Sequence, residues 1–206
     1  MTEFEEEFFK RNKIDNEKCV DVKGNRMNWY VKYWMERNNK LFAFNAFPCK
    51  NGHTIKNSKG QCIVCNSAKI SYQMREHESG YLYIAGTKWG KRIKIGCTTN
   101  YEKREKYLNE NKGYGFFADW KILAVAKVDE MGFRERQIQE KLEKYREFGL
   151  QYYRGNELKK SNEAFRCNYE TTLKLLRDFC AVNKFHLKIF ESDTSKYNFK
   201  NLIKSE

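Results

Sequence analysis

Four potential metal ligands fall within 17 residues, as Cys49-x3-His53-x8-Cys62-x2-Cys65. No other feature restricts the fold of this chain as tightly. Thiolates and an imidazole at these spacings are the donor set that zinc prefers in a closed tetrahedral site. Gly52 and Gly60 give the backbone freedom to wrap the ligands around one ion. The segment is poor in aliphatic residues, so a metal would have to supply much of its folding free energy. The competing reading is four unrelated residues that are close by chance. The expectation is structural zinc on Cys49, His53, Cys62 and Cys65. Pro48, Asn51-Gly52 and Lys59-Gly60 should make residues 45–66 a set of turns rather than regular structure. A site closed by four protein ligands has no position left for a substrate, so catalysis belongs elsewhere.

The seven cysteines form an odd set, which argues for metal binding in a reducing compartment over disulfides, and Cys19, Cys97, Cys167 and Cys180 read as ordinary buried thiols. No stretch approaches the ~20 apolar residues of a membrane span. The start, Met-Thr-Glu-Phe-Glu-Glu-Glu, is opposite in charge to a signal peptide, so a soluble cytoplasmic protein is expected. A net charge of +13 calls for a polyanionic partner. Residues 18–75 hold 11 Lys or Arg against only Asp21 and Glu36. Interleaved there are Trp29, Tyr30, Tyr33, Trp34, Phe42, Phe44 and Phe47. Such rings either stack on bases beside phosphate-binding cations or form a core under a basic surface.

Along the chain, Thr2 with Glu5 makes a capping box for a helix ending near Asn12, and a second helix is expected over 28–38. From Gly80 the texture changes to strand alternation: Tyr81 to Ala85, a turn around 87–91, then Arg92 to Cys97, a hairpin. Thr99 with Glu102 suggests the cap of a helix running to Asn109. Trp120 to Val128 reads as a third strand, 130–148 as a long helix and 169–182 as another.

Period-2 alternation puts Tyr81, Tyr83, Arg92, Lys94 and Gly96 on one face of the hairpin and Leu82, Ile84, Ile93 and Ile95 on the other. In the next helix Arg104 falls on the apolar stripe of Tyr101 and Leu108. In the long helix Glu135 falls on the stripe of Met131, Ile138, Leu142 and Tyr145. An inward cation and an inward carboxylate are costly without partners. They could brace the core as an ion pair or, with the phenol and lysine, cleave phosphodiesters.

Tyr81-Leu82-Tyr83, then Lys94-Ile95-Gly96, then Arg104 and a later acid together resemble the GIY-YIG nuclease superfamily. Gly80 to Ile84, Lys94-Ile95-Gly96, Glu135 within Phe-Arg-Glu-Arg-Gln-Ile and Glu163-Ala164-Phe165-Arg166 are most similar to its phage and bacterial branch, over about residues 79–167. Tyr81 stands where the first motif has glycine, Lys94 replaces the first tyrosine of the second, and Leu108 sits where some members carry histidine. The resemblance implies that Tyr83 orients or deprotonates the attacking water, that Arg104 binds the scissile phosphate, and that Glu135 ligates one Mg2+ or Mn2+. Lys94, on the same strand face, could supply the charge that favours an ionised phenol.

The fold expected is α+β: a small antiparallel sheet, the hairpin plus a third strand, flanked by helices, with a zinc-knuckle and helical N-terminal extension. The regions are 1–45 (basic, aromatic, helical), 46–78 (zinc segment), 79–185 (nuclease-like domain) and 186–206 (tail). The function expected is a metal-dependent endonuclease on double-stranded DNA, of phage or mobile-element type or restriction type. The alternative is a non-catalytic zinc-containing DNA-binding protein on a decayed nuclease scaffold.

Overall fold

The computed structural model describes residues 1–110 and 112–199, so the end of the expected tail, 200–206, lies outside the described residues. The chain divides into two compact units, Met1–Glu76 and His77–Glu206. No helix among the described residues is long and apolar enough to cross a membrane.

The first unit opens on α1 (Glu3–Arg11), and the capping box expected at Thr2 and Glu5 is complete in both directions. Strand β1 (Cys19–Asp21) leads to α2 (Trp29–Arg37), which Asn28 caps by accepting a hydrogen bond from the Val31 amide. Strand β2 (Phe42–Phe44) runs parallel to β1, and β3 (Lys56–Asn57) is antiparallel to β2. Residues 45–66 are thus not turns alone, because Phe42 and Ala43 find ladder partners in Asn57 and Lys56. Helix α3 (Ala68–His77) closes the unit.

Phe8, Phe9, Leu41, Phe42, Ile55, Ile63 and Ile70 form its main core. Ile55 and Ile63 come from the Cys/His segment itself, so ligand placement and core packing depend on the same turns. Glu5 does more than cap: its buried carboxylate accepts from the Asn45 amide at 2.8 Å and the Thr54 hydroxyl at 2.6 Å. Burial would raise its pKa, but those bonds outweigh burial and hold it below the ordinary value.

The second unit is built on β4 (Gly80–Thr87), β5 (Arg92–Thr98), α4 (Tyr101–Asn109), β6 (Lys121–Val128) and α5 (Met131–Lys141). There follow β7 (Arg146–Glu147), β8 (Leu150–Arg154), β9 (Glu157–Ser161), β10 (Ala164–Phe165), α6 (Tyr169–Asn183) and β11 (Leu187–Ile189). The sheet has the order β11-β6-β4-β5-β10-β7, antiparallel at every pairing, while β8 and β9 form a separate ribbon. The α+β class is therefore as expected, but the sheet has six strands instead of three.

Leu82, Ile84, Ile93 and Ile95 face Met131, Ile138, Leu142, Leu173 and Leu176, so α5 and α6 cover one side of the sheet. Tyr83, Ala85, Val125 and Ala164 face the other side, with Leu108 of α4 and the rings of Tyr114 and Trp120. Two helix boundaries differ from expectation. The cap of α4 is Asn100, whose side chain accepts from the Lys103 amide, while Thr98 binds the Asn100 backbone. Helix α5 ends at Lys141, because a short 3-10 turn at Glu143–Tyr145 redirects the chain into β7.

Candidate active site and metal centre

Cross-strand register sets one corner of the second unit. Tyr83 pairs with Gly96, and a Cβ on Gly96 would lie 2.4 Å from the Tyr83 hydroxyl. The phenol therefore rests directly on the strand where the side chain is missing. From α4, the Arg104 Nε donates to that hydroxyl at 3.0 Å. Lys94 is wholly buried on the same face, its Nζ paired with the Glu163 carboxylate and 4.8 Å from the centroid of the Tyr114 ring. Glu163 stands at the entry to β10, whose Ala164 pairs with Lys94.

Supporting contacts fix each member. Ser161 accepts from the Tyr114 hydroxyl and, at 3.3 Å, from the Glu163 amide. The Trp120 indole donates to the Tyr114 carbonyl at 2.7 Å. Asn109 exchanges two hydrogen bonds with the Trp120 backbone, and Glu105 accepts from the Ile122 amide at 2.8 Å, which anchors α4 on β6.

Burial lowers the Lys94 pKa, yet Tyr83, Glu163 and Tyr114 outweigh it and hold the amine above its ordinary value. Arg104 is shifted upward against burial chiefly by Tyr83, through charge and hydrogen bond together. Burial pushes the Tyr114 phenol up. Two cations thus lie side by side, Lys94 on the Glu163 carboxylate and Arg104 on the Tyr83 hydroxyl, in a wall of aromatic and aliphatic side chains.

Tyr83, Lys94 and Arg104 come together as the sequence suggested, and Glu135 does not join them. It is buried, but against the opposite face of the sheet: the Cys97 thiol donates to it at 2.8 Å and the Gln139 amide at 2.9 Å. Gln139 also donates to the Ile95 carbonyl at 3.1 Å. An apolar stripe tells that Glu135 points inward but not which side of the sheet its helix covers. The acid that does face Lys94 is Glu163, present in the Glu-Ala-Phe-Arg segment that the family resemblance had already marked. A two-residue strand has no periodicity to reveal it, and nothing in the sequence points to Tyr114 or Ser161.

In the first unit the ligand atoms of Cys49, His53, Cys62 and Cys65 all lie within 4.8 Å of one another. His53 Nδ1 is 3.8, 3.8 and 3.3 Å from the sulfurs of Cys49, Cys62 and Cys65, and Cys49 and Cys65 are 3.8 Å apart. Tetrahedral zinc with bonds of ~2.3 Å to sulfur and ~2.0 Å to nitrogen needs edges of roughly 3.5–3.8 Å. The donor set thus suits zinc in its chemistry, and three of these edges match a tetrahedral site while the His53–Cys65 edge is tighter. Gly52 and Gly60 adopt φ of +79° and +83° at the turns between ligands, where a side chain would be strained. Backbone hydrogen bonding, from Asn51 foremost, draws the Cys49 thiol down to about 6, toward the thiolate that a metal binds.

The other cysteines divide. Cys19, Cys167 and Cys180 are buried and pushed by that burial to about 12, 12 and 11, as inert thiols should be. Cys97 is only half-buried and serves Glu135. Of the interleaved rings Phe42 is core, but Trp29, Tyr30, Tyr33, Trp34 and Phe47 are exposed.

Residues 80–180 match the family described as the T5orf172 domain. That span includes Tyr83, Lys94, Arg104, Glu135 and Glu163 and excludes the Cys/His segment. No curated protein and no solved structure matches the chain.

Proposed function

We propose that this chain is an endonuclease that hydrolyses phosphodiester bonds of double-stranded DNA at Tyr83, Lys94, Arg104 and Glu163, with a structural zinc on Cys49, His53, Cys62 and Cys65. The clustering of two buried cations, Lys94 on the Glu163 carboxylate and Arg104 on the Tyr83 hydroxyl, carries the reading. A pair that merely braced the core would be balanced, one acid for one base. A cluster with surplus positive charge beside a partly open acid is suited to a phosphate and its metal. The T5orf172 match over this segment, a domain loosely associated with nucleases and phage, supports the same class.

Each side chain has a role that its chemistry permits. Arg104 offers a planar fork to the phosphate oxygens and stabilises charge as it builds on them. The Tyr83 oxygen orients the attacking water, and Lys94 keeps positive charge beneath that oxygen. The water oxygen bonds to phosphorus as the bond to the 3′ oxygen breaks; the proton that water loses balances the one the 3′ oxygen takes up. Glu163 would hold a hard divalent ion such as Mg2+, for which a single protein carboxylate can suffice. Of its side chain 39% remains accessible for that purpose. The ion would supply Lewis-acid stabilisation of the leaving oxygen.

Within this class a free-standing phage or mobile-element enzyme fits the single proline and the heavy use of Lys, Asn, Phe and Tyr better than a restriction enzyme does. The test is nicking of supercoiled plasmid in Mg2+, with structured RNA in parallel. Wild type should nick DNA in preference to RNA, and Arg104→Ala should lose about 100-fold or more. A wild-type protein inert on both substrates would return the chain to the binding-protein class.

A further inference from the structure

Helix α2 is the most anomalous surface of the first unit. Of its aromatic residues Trp29, Tyr30, Tyr33 and Trp34, none is buried, and only Met35 of the helix is. Trp29 stands 77% exposed. Burying one such ring is worth about 1.5–3 kcal/mol, so a fold that leaves a cluster of them in water forgoes several kcal/mol. Beside the helix lies a groove lined by Val20, Val22, Val31, Tyr30 and Trp34, with the polar Asp21, Lys23 and Asn25. Its volume of about 250 Å3 lies just below the ~300–1,000 Å3 of ordinary ligand pockets, which suits one flat ring system instead of a large cofactor.

The charge around the groove selects the occupant. Lys23 lines the groove, while Arg26 and Arg37 are exposed and Lys32 half-buried on or next to the helix in sequence, against one exposed helix acid, Glu36. Arg26 stacks 4.2 Å over the exposed Phe47 ring, and Arg37 donates to the Tyr33 hydroxyl at 2.9 Å. The one acid at the groove, Asp21, is engaged by the Lys23 amide and the Asn45 side chain. Flat apolar walls within a cationic frame complement a polyanion that carries flat rings. A duplex hides the faces of its bases, whereas an unpaired strand offers them.

We propose that this groove is a binding site for an unpaired nucleobase, held between Tyr30 and Trp34 while Lys23, Arg26 and Arg37 bind the flanking phosphates. The first unit is then a single-strand grip, serving DNA that is displaced, nicked or locally melted. The inference shares the nucleic-acid partner of the endonuclease reading but not its chemistry, so it stands or falls on binding alone.

The test uses the full chain with zinc present and the Glu163→Gln substitution, in Mg2+-free buffer, so that hydrolysis plays no part. Fluorescence anisotropy compares a mixed-sequence 20-nucleotide single strand with its duplex. Stacking is worth about 1–3 kcal/mol per base, so Tyr30→Ala with Trp34→Ala should weaken single-strand binding by roughly 5- to 150-fold. Duplex binding should fall less than about two-fold, and Tyr30→Phe with Trp34→Phe should restore most of the loss. As a check independent of mutant folding, ultraviolet crosslinking of the single strand should mark the peptide that contains Tyr30 and Trp34. Equal loss on both substrates, no loss on either, or crosslinks only outside residues 20–47 would overturn the proposal.

Discussion

Tyr83 and Gly96 show how a single missing side chain can shape a site. The hydroxyl occupies the volume a Cβ would take, so Gly96→Ala must displace the phenol from Arg104. We expect Gly96→Ala to cost about 1–3 kcal/mol in a denaturant melt and to reduce nicking, because the ring cannot return to its place. The position of Gly96 was readable from the Lys-Ile-Gly motif. Tyr83, Lys94 and Arg104 were readable too, since strand alternation and helix spacing report which residues share a face. That Glu163, and not Glu135, faces Lys94 was not readable, because the two differ in which side of a six-stranded sheet they reach, and that is fixed by the crossover connections. Glu5 carries a prediction of its own. Its folded-state pKa is depressed, so its contribution is present above the ordinary carboxylate value of 4.5 and is lost as pH falls through the lower folded value. Glu5→Gln should therefore melt lower than wild type at neutral pH, and the gap should narrow as pH falls below about 4.5. A gap that is constant with pH would contradict the charged, hydrogen-bonded role.

At the scale of elements, local signals succeeded where the element is long or capped. Helices α1, α2 and α6 were expected within a residue or two, because Thr2, Asn28 and an unbroken apolar period marked them. Strands β7 and β10 are two residues each and β11 is three, too short for alternation to appear, so half of the large sheet was invisible. The metal segment is the reverse case: its ligands were legible by spacing, while its share of the core through Ile55 and Ile63 was not. A structural zinc supplies about 10–16 kcal/mol, comparable with the ~5–15 kcal/mol by which a whole domain is stable. Chelation should accordingly abolish the melting transition of Met1–Glu76 while that of His77–Glu206 persists, as followed by calorimetry and circular dichroism. Loss of both transitions, or of neither, would contradict a metal that organises only the first unit. Substituting Cys62 with Ser should reproduce the effect without chelator.

For the whole molecule, the proposed function assigns the encounter to charge and the chemistry to the cluster. A net charge of +13 should give duplex binding with a steep inverse dependence on salt, each phosphate contact contributing about −0.9 to the log–log slope. Arg104→Ala should flatten that slope by about one contact, and an unchanged slope would argue that Arg104 does not reach a phosphate. Charge and patterning together pointed to a polyanionic partner from composition, whereas the exposure of the α2 rings needed coordinates. The proposed role of Glu163 as the acid of the cleavage site is tested most directly by nicking with Glu163→Gln and Glu135→Gln side by side in Mg2+, each also melted in denaturant. Glu163→Gln should lose about 100-fold or more in rate at near-normal stability, and Glu135→Gln should keep most of the rate while losing about 1–3 kcal/mol of stability. An inactive, fully stable Glu135→Gln beside an active Glu163→Gln would contradict the account.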